Sequence, residues 1–216
     1  MRKDSAGNRL SDVKLNYIKK NLVGQDILDV GAGYCYYSEW LVQGNPDLKV
    51  VSIDQLDLAN LNNIEFICSD LEKPIPLPDE SFSTILAFDI IEHIVNEDHL
   101  IKELFRLCKK NGVLIGSVPH DDDKFLPAYN LTFYHRSDLT HKRYYIPTTI
   151  KDALEKGGFD VITVDLKGGI SPHVFAEFFA PSIRFLIKSS IGLLRRTRII
   201  NTSALASDLF FVAVKQ

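Results

Sequence analysis

The sequence predicts a doubly wound α/β fold, with a mainly parallel sheet covered by helices on both faces. Three observations carry that prediction. Strand-like runs recur seven times, at 27–30, 49–53, 64–68, 84–88, 112–118, 159–165 and 208–214. Helical stretches at 34–43, 96–110 and 147–157 separate most of them. The first strand also leads straight into Gly31-Ala32-Gly33, a turn that opens a ligand crevice in such sheets.

Leu10, Val13, Tyr17 and Ile18 have helical spacing, which predicts a first helix over 10–22, closed by Gly24. Ile27 to Val30 is a short buried strand. Gly31 and Gly33 let the backbone turn tightly and approach a ligand with no Cβ in the way. The next helix would point its free N–H groups at that ligand and stop at Gly44. The segment between Asp54 and Ile64 is too short for a full helix, which would leave one side of the crevice open. Asn111-Gly112 ends the 96–110 helix and Gly157-Gly158 the 147–157 helix.

Two stretches break the alternation. Residues 119–146 form a long polar and aromatic connection, and loops of that length in a compact domain are usually functional lids or disordered. Residues 170–206 are a helical insertion before the last strand and contain Pro172 and Pro181. Length suits one domain over 1–216, with a ligand-binding core at 23–118 and a lid at 119–146.

The net charge of −3 is unevenly placed. Residues 171–216 hold six Lys/Arg against two acids, +4, so the first 170 residues carry −7. That acidic body excludes general nucleic-acid binding, which relies on neutralising phosphates. The three cysteines lack Cys-x-x-Cys spacing and read as reduced thiols of a cytoplasmic protein. A polar N-terminus predicts no secretory leader. The lack of any run of about 18 apolar residues predicts no membrane span.

In an open α/β sheet, ligands lie beyond the carboxyl ends of the strands, and three strands here run out into an acid: Asp54, Asp70 and Asp89. Asp29 precedes the glycine turn. Asp54 follows Gly31 by 23 residues, the distance at which a carboxylate receives the two hydroxyls of a ribose. Asp70 is placed to accept from an adenine amine. Helix capping or plain solvation is the alternative for any one of these acids. A nicotinamide dinucleotide site uses the same parts, but it needs a third glycine at position 36, where Tyr36 stands.

ILDVGAGYC, VSIDQ, FICSDLEKPIPLPDESFSTILAFDIIEHI and LIKELFRLCKKNGVLIGSVPH together resemble class I S-adenosylmethionine-dependent methyltransferases, in the group that includes ubiquinone/menaquinone-type and small-molecule enzymes. The likeness runs from about Ile27 to Pro119, with a weaker tail at Tyr144 to Val164. It implies a Rossmann-like fold and S-adenosyl-L-methionine as cofactor, with S-adenosyl-L-homocysteine as product. Gly31 and Gly33 would border the methionine part, and Asp29 would orient its amino group. Asp54 would hold the ribose, Asp70 and the Leu71 backbone the adenine, and Phe88 and Asp89 would face the methionine end. Glu92-His93 would be structural. Cys35 replaces the family's third glycine and implies a slightly altered turn.

Methyl transfer from a sulfonium mainly requires an aligned nucleophile and exclusion of water. A base is needed only for a protonated acceptor, and His120, His135 and His141 are the candidates, with His120 first because it follows Pro119. A metal site at His120-Asp121-Asp122-Asp123 is outweighed by a solvated acidic turn, so no metal is expected. Tyr129, Phe133, Tyr134, Tyr144 and Tyr145 either wall an acceptor or pack a lid. Over 181–198, Ile183, Leu186, Ile187, Ile191 and Leu194 share one helical face, while Arg184, Lys188, Arg195 and Arg198 share the other. Such a helix lies on an anionic membrane, grips a lipid-like substrate, or packs on its own sheet or a second subunit. The expected activity is methyl transfer to a small-molecule or lipid-linked acceptor. The alternatives are a non-catalytic S-adenosylmethionine-binding partner subunit and a dinucleotide-binding protein.

Overall fold

The computed structural model describes residues 10–56, 64–121, 138–168, 180–196 and 206–216. Its strands are β1 (Asp26–Val30), β2 (Lys49–Asp54), β3 (Glu65–Cys68), β4 (Phe82–Phe88), β5 (Cys108–Pro119), β6 (Asp160–Lys167) and β7 (Asp208–Val214). Among the described residues the helices are α1 (Asp12–Asn21), α2 (Tyr36–Gly44), α3 (Glu97–Leu107), α4 (Pro147–Lys156) and α5 (Pro181–Arg196), with a 3-10 turn at Ile91–His93.

The strands form one seven-stranded sheet in the order β3-β2-β1-β4-β5-β7-β6. β1 to β5 pair in parallel, whereas β7 runs antiparallel between β5 and β6. The order reverses between β1 and β4, so their carboxyl ends splay apart there and leave a crevice.

Period-two alternation divides the core between the two faces. Leu28, Val30, Ile85 and Ala87 face α3 and α4, meeting Leu100, Ile101, Leu104, Ile150 and Leu154. Ile27, Leu86, Phe88 and Ile115 face α1 and α2, meeting Ile18 and Leu41. α3 begins at Asn96, whose side chain accepts the His99 N–H at 3.2 Å, and Glu97 and Asp98 lie favourably in its first turn.

The 96–110 helix expected from sequence ends three residues early, at Leu107. Cys108 is fully buried and pairs with Phe82, and Val113 pairs with Thr84. The intervening residues bulge, turned by Asn111 at φ 62°, a conformation that asparagine tolerates. The 119–146 connection is described only at its ends, and both are tied down. Tyr145 N–H donates to Pro119 O at 3.2 Å, Lys142 N–H donates to Glu92 O at 2.8 Å, and Arg143 pairs with Glu97 at 2.6 Å. Asp122, Asp123, Tyr129, Phe133, Tyr134 and His135 lie outside the described residues, as do Pro172 and Arg198.

Candidate active site

The glycine turn is held from two sides. Gly31 and Ala32 N–H groups both donate to Ile53 O, at 2.9 and 3.2 Å, and Gly33 N–H donates to Asp54 Oδ2 at 2.8 Å. Gly31 and Gly33 have φ of 68° and 52°, as the sequence requires. Cys35 also adopts a left-handed conformation, φ 57°, at the N-cap of α2. The cysteine therefore keeps a glycine's backbone conformation instead of closing the crevice. Burial pushes its thiol pKa up to about 11, which leaves it unreactive.

Beyond this turn lies a cavity of about 400 Å³ whose walls include Gly31, Asp54, Asp70, Leu71, Asp89 and Ile90. Five residues singled out from sequence thus meet on one surface, at the carboxyl side of β1, β2, β3 and β4. Asp54 Oδ1 also accepts the Leu56 N–H at 3.0 Å, and Asp70 Oδ1 the Glu72 N–H at 3.0 Å. Asp70 is held below the usual carboxylate range by that N–H and by Lys73. Asp89 has φ 53°, a strained conformation for a non-glycine residue. It accepts from Lys14 Nζ at 2.5 Å and from Ser117 Oγ at 2.5 Å.

Three other expected residues do not line this cavity. Asp29 is 3% exposed and accepts from Ser38 Oγ at 2.6 Å, and Ser38 Oγ lies 2.8 Å from Ser52 Oγ. Burial pushes the Asp29 carboxyl up to about 6 despite the Ser38 bond. Gly33 borders open space, because a Cβ built on it would meet nothing within 4 Å. The Phe88 ring faces away from the cavity into the core, with Tyr37 at 5.5 Å and Phe210 at 6.4 Å between centroids. Its position on the Leu86 face dictates this.

A second cavity of about 250 Å³ adjoins the first through Asp89 and His93, and Glu92, Pro119, Asp138, His141 and Asp208 complete its wall. His120 lines neither cavity. It is 7% exposed, with Nδ1 3.0 Å from Ala206 O. A carbonyl only accepts, so Nδ1 carries the hydrogen and Nε2 the lone pair. That tautomer suits a base, but its enclosure does not. Among the described residues, the histidines that face the cavities are His93 and His141.

Sequence reasoning passed over Lys14 and read Glu92 as structural. Lys14 comes from α1, yet it reaches Asp89 and lies over the rings of Tyr37 and Phe88, at 5.7 and 5.3 Å. Burial opposes its charge, but Asp89 outweighs burial and raises its pKa. The only signal for it was a cation on a helix that precedes an acid-lined crevice. Glu92 is 1% exposed, and its Oε2 has no hydrogen-bond partner. Burial, with Asp89 nearby, pushes its pKa up to about 9.

A family model described as "Methyltransferase domain" matches residues 2–164. The ubiquinone biosynthesis O-methyltransferase of Neisseria meningitidis is 24% identical over 189 residues, covering 79% of this chain and 78% of that one. A Mycolicibacterium smegmatis protein described as a "Probable S-adenosylmethionine-dependent methyltransferase" is 23% identical over 161 residues, and the chain spans only 59% of its length. Among solved structures, a SAM-dependent methyltransferase from Archaeoglobus fulgidus superposes with TM-score 0.67 at 20% identity, covering 98% of this chain and 95% of that one.

Fold and crevice are those of the class I S-adenosylmethionine-dependent methyltransferases. The chain belongs to the methyltransferase-domain family that the match over residues 2–164 defines.

Proposed function

We propose that the cavity at the carboxyl ends of β1 to β4 holds S-adenosylmethionine, and that its methyl goes to a small-molecule or lipid-linked acceptor entering through the cavity next to Asp89. One observation carries this reading: Gly31, Asp54, Asp70, Leu71 and Asp89 share a single lining. Asp54 takes the ribose hydroxyls, Asp70 and the Leu71 backbone the adenine, and Asp89 the methionine end. Asp29 acts from beneath the turn, with its carboxylate favouring a cationic ligand. An oxygen acceptor is favoured by the resemblance to a ubiquinone biosynthesis O-methyltransferase. His120 is set aside as the base because it reaches neither cavity.

The test is calorimetry with S-adenosylhomocysteine followed by assay of S-adenosylhomocysteine production from S-adenosylmethionine across candidate acceptors. Binding together with turnover supports an enzyme. Binding without turnover on any acceptor supports the partner-subunit alternative, and binding of NAD alone overturns the reading.

Among the described residues, no helix is long and apolar enough to cross a membrane. Helix α5 nevertheless exposes Phe185, Leu186 and Leu193 at 76%, 63% and 62%, on a segment whose charge is positive while the body's is negative. That complementarity favours an anionic bilayer as its partner. Flotation with phosphatidylglycerol vesicles, lost in a Phe185→Asp/Leu186→Asp variant, is the expected result. Concentration-dependent dimerisation without flotation would favour a second subunit instead.

A further inference from the structure

We propose that Glu92, His93 and His141 form a binding site for one divalent first-row transition-metal ion, in the wall of the second cavity where it adjoins the first at His93. Each residue offers one donor atom, and the three atoms lie within 4.8 Å of one another. The imidazole rings of His93 and His141 meet edge to face, 4.6 Å apart between centroids. Two nitrogens and a carboxylate oxygen on one side leave coordination positions open toward the cavity, the donor pattern of catalytic zinc and non-haem iron sites.

The second observation is Glu92 itself. Its side chain is almost wholly buried and lines the cavity, yet Oε2 has no hydrogen-bond partner. A buried carboxyl oxygen left without a partner is costly, and a cation in place of the carboxyl proton would meet it. Lys14 is directed elsewhere, because its ammonium pairs with Asp89.

The surroundings orient the ligands. Thr140 Oγ1 donates to Asp138 Oδ1 at 2.6 Å and so has no hydrogen left for its contact with His93 Nδ1 at 2.8 Å. His93 must therefore donate from Nδ1, which fixes its tautomer and leaves the lone pair on Nε2. Asp138 Oδ2 also lies 3.7 Å from His141 Nε2, so one acid braces both imidazoles. The Lys142 N–H bond to Glu92 O places His141, 48 residues later in the chain, beside the Glu92-His93 pair. Imidazole donors favour zinc and the later first-row ions, cobalt among them, over manganese, magnesium and calcium.

An open position on such an ion would take an oxygen of the methyl acceptor; this last step rests on the function proposed above.

The test is Co²⁺ titration of the full chain after chelator treatment, read by calorimetry and by the visible d–d absorption of the ion. One equivalent should bind, with excess Mg²⁺ failing to displace it. Glu92→Gln, His93→Gln and His141→Gln should each weaken binding at least about tenfold, with the fold followed by circular dichroism. Thr140→Val keeps all three ligands and should weaken binding by a smaller factor, which guards against a ligand variant that fails to fold. No Co²⁺ uptake, or uptake undiminished in every variant, overturns the site. S-adenosylhomocysteine titration of the same samples keeps the readings apart. Cofactor binding without Co²⁺ uptake removes the metal alone, and Co²⁺ uptake without cofactor binding removes the methyltransferase pocket alone.

Discussion

Gly33 donates its amide hydrogen to the Asp54 carboxylate at 2.8 Å, so the acid proposed to hold the ribose also fastens the glycine turn. Asp54 accepts from Leu56 N–H as well, at 3.0 Å. Asp54→Ala would leave both amides without their charged acceptor, at about 1.5–3 kcal/mol each, and confound binding with folding. Asp54→Asn keeps one acceptor oxygen. It should lower S-adenosylhomocysteine affinity about tenfold while the melting temperature falls by only a few degrees. Calorimetry on both variants, with thermal melts alongside, checks this; unchanged affinity in Asp54→Asn would contradict the ribose role.

The two glycines of the turn should respond differently to alanine. Both have positive φ, which costs an alanine about 1 kcal/mol. A Cβ on Gly31 would lie 2.6 Å from Ile90 Cγ1, whereas one on Gly33 meets nothing. Gly31→Ala should lose both stability and binding. Gly33→Ala should lose about 1 kcal/mol of stability but far more affinity if, as proposed, the ligand lies over the turn and would meet the added Cβ. Urea melts and calorimetry separate the two. Equal destabilisation, or full affinity in Gly33→Ala, would count against a ligand over the turn.

Much of this site was readable from the chain because its parts are local. A glycine turn after a buried strand, and acids where parallel strands end, need only strand periodicity and the crevice rule. Phe88 was readable too, since it shares strand parity with the core residue Leu86, yet it was assigned to the cavity by motif. Other features depend on long-range pairing. β7 inserts antiparallel between β5 and β6, which no local pattern announces. The bulge at Asn111 looks like a helix end until Val113 must pair with Thr84. Glu92 and His93 read as structural because the residue that completes their cluster, His141, arrives through a backbone bond from a distant segment.

Asp29 makes a pH prediction with a definite sign. Burial raises its pKa from 3.8 to about 6, so the folded state binds more protons than the unfolded state between those values. Stability from this group is therefore complete below about pH 4 and is lost as pH rises through about 6, a cost of about 3 kcal/mol at neutrality. Asp29→Asn should be more stable than wild type at pH 7.5, and its stability should fall less between pH 4 and 6. Cofactor affinity runs the other way, because the ionised carboxylate favours the cation and weakens as pH drops below about 6. A variant less stable than wild type at pH 7.5 would show that the Ser38 bond outweighs burial.

Lys14 should set the preference between cofactor and product. S-adenosylmethionine carries a sulfonium cation and S-adenosylhomocysteine a neutral thioether, and otherwise they present the same groups. Lys14 holds a positive charge against Asp89, at one end of the cavity that would receive the sulfur. It repels the cofactor more than the product. In Lys14→Gln, Asp89 keeps its Ser117 bond and loses its counter-charge, so the local field becomes more negative. Unit charges several ångströms apart in a partly solvated site interact by about 1 kcal/mol, roughly a fivefold change in a binding ratio. The variant should therefore bind S-adenosylmethionine about fivefold better relative to S-adenosylhomocysteine, and the difference should shrink as salt is added. The folding cost should be small, because Asp89 is 46% exposed and water can solvate it in place of the ammonium. Paired calorimetric titrations at low and high salt decide it. An unchanged ratio would mean that the sulfur lies too far from Asp89 for this lysine to sense its charge.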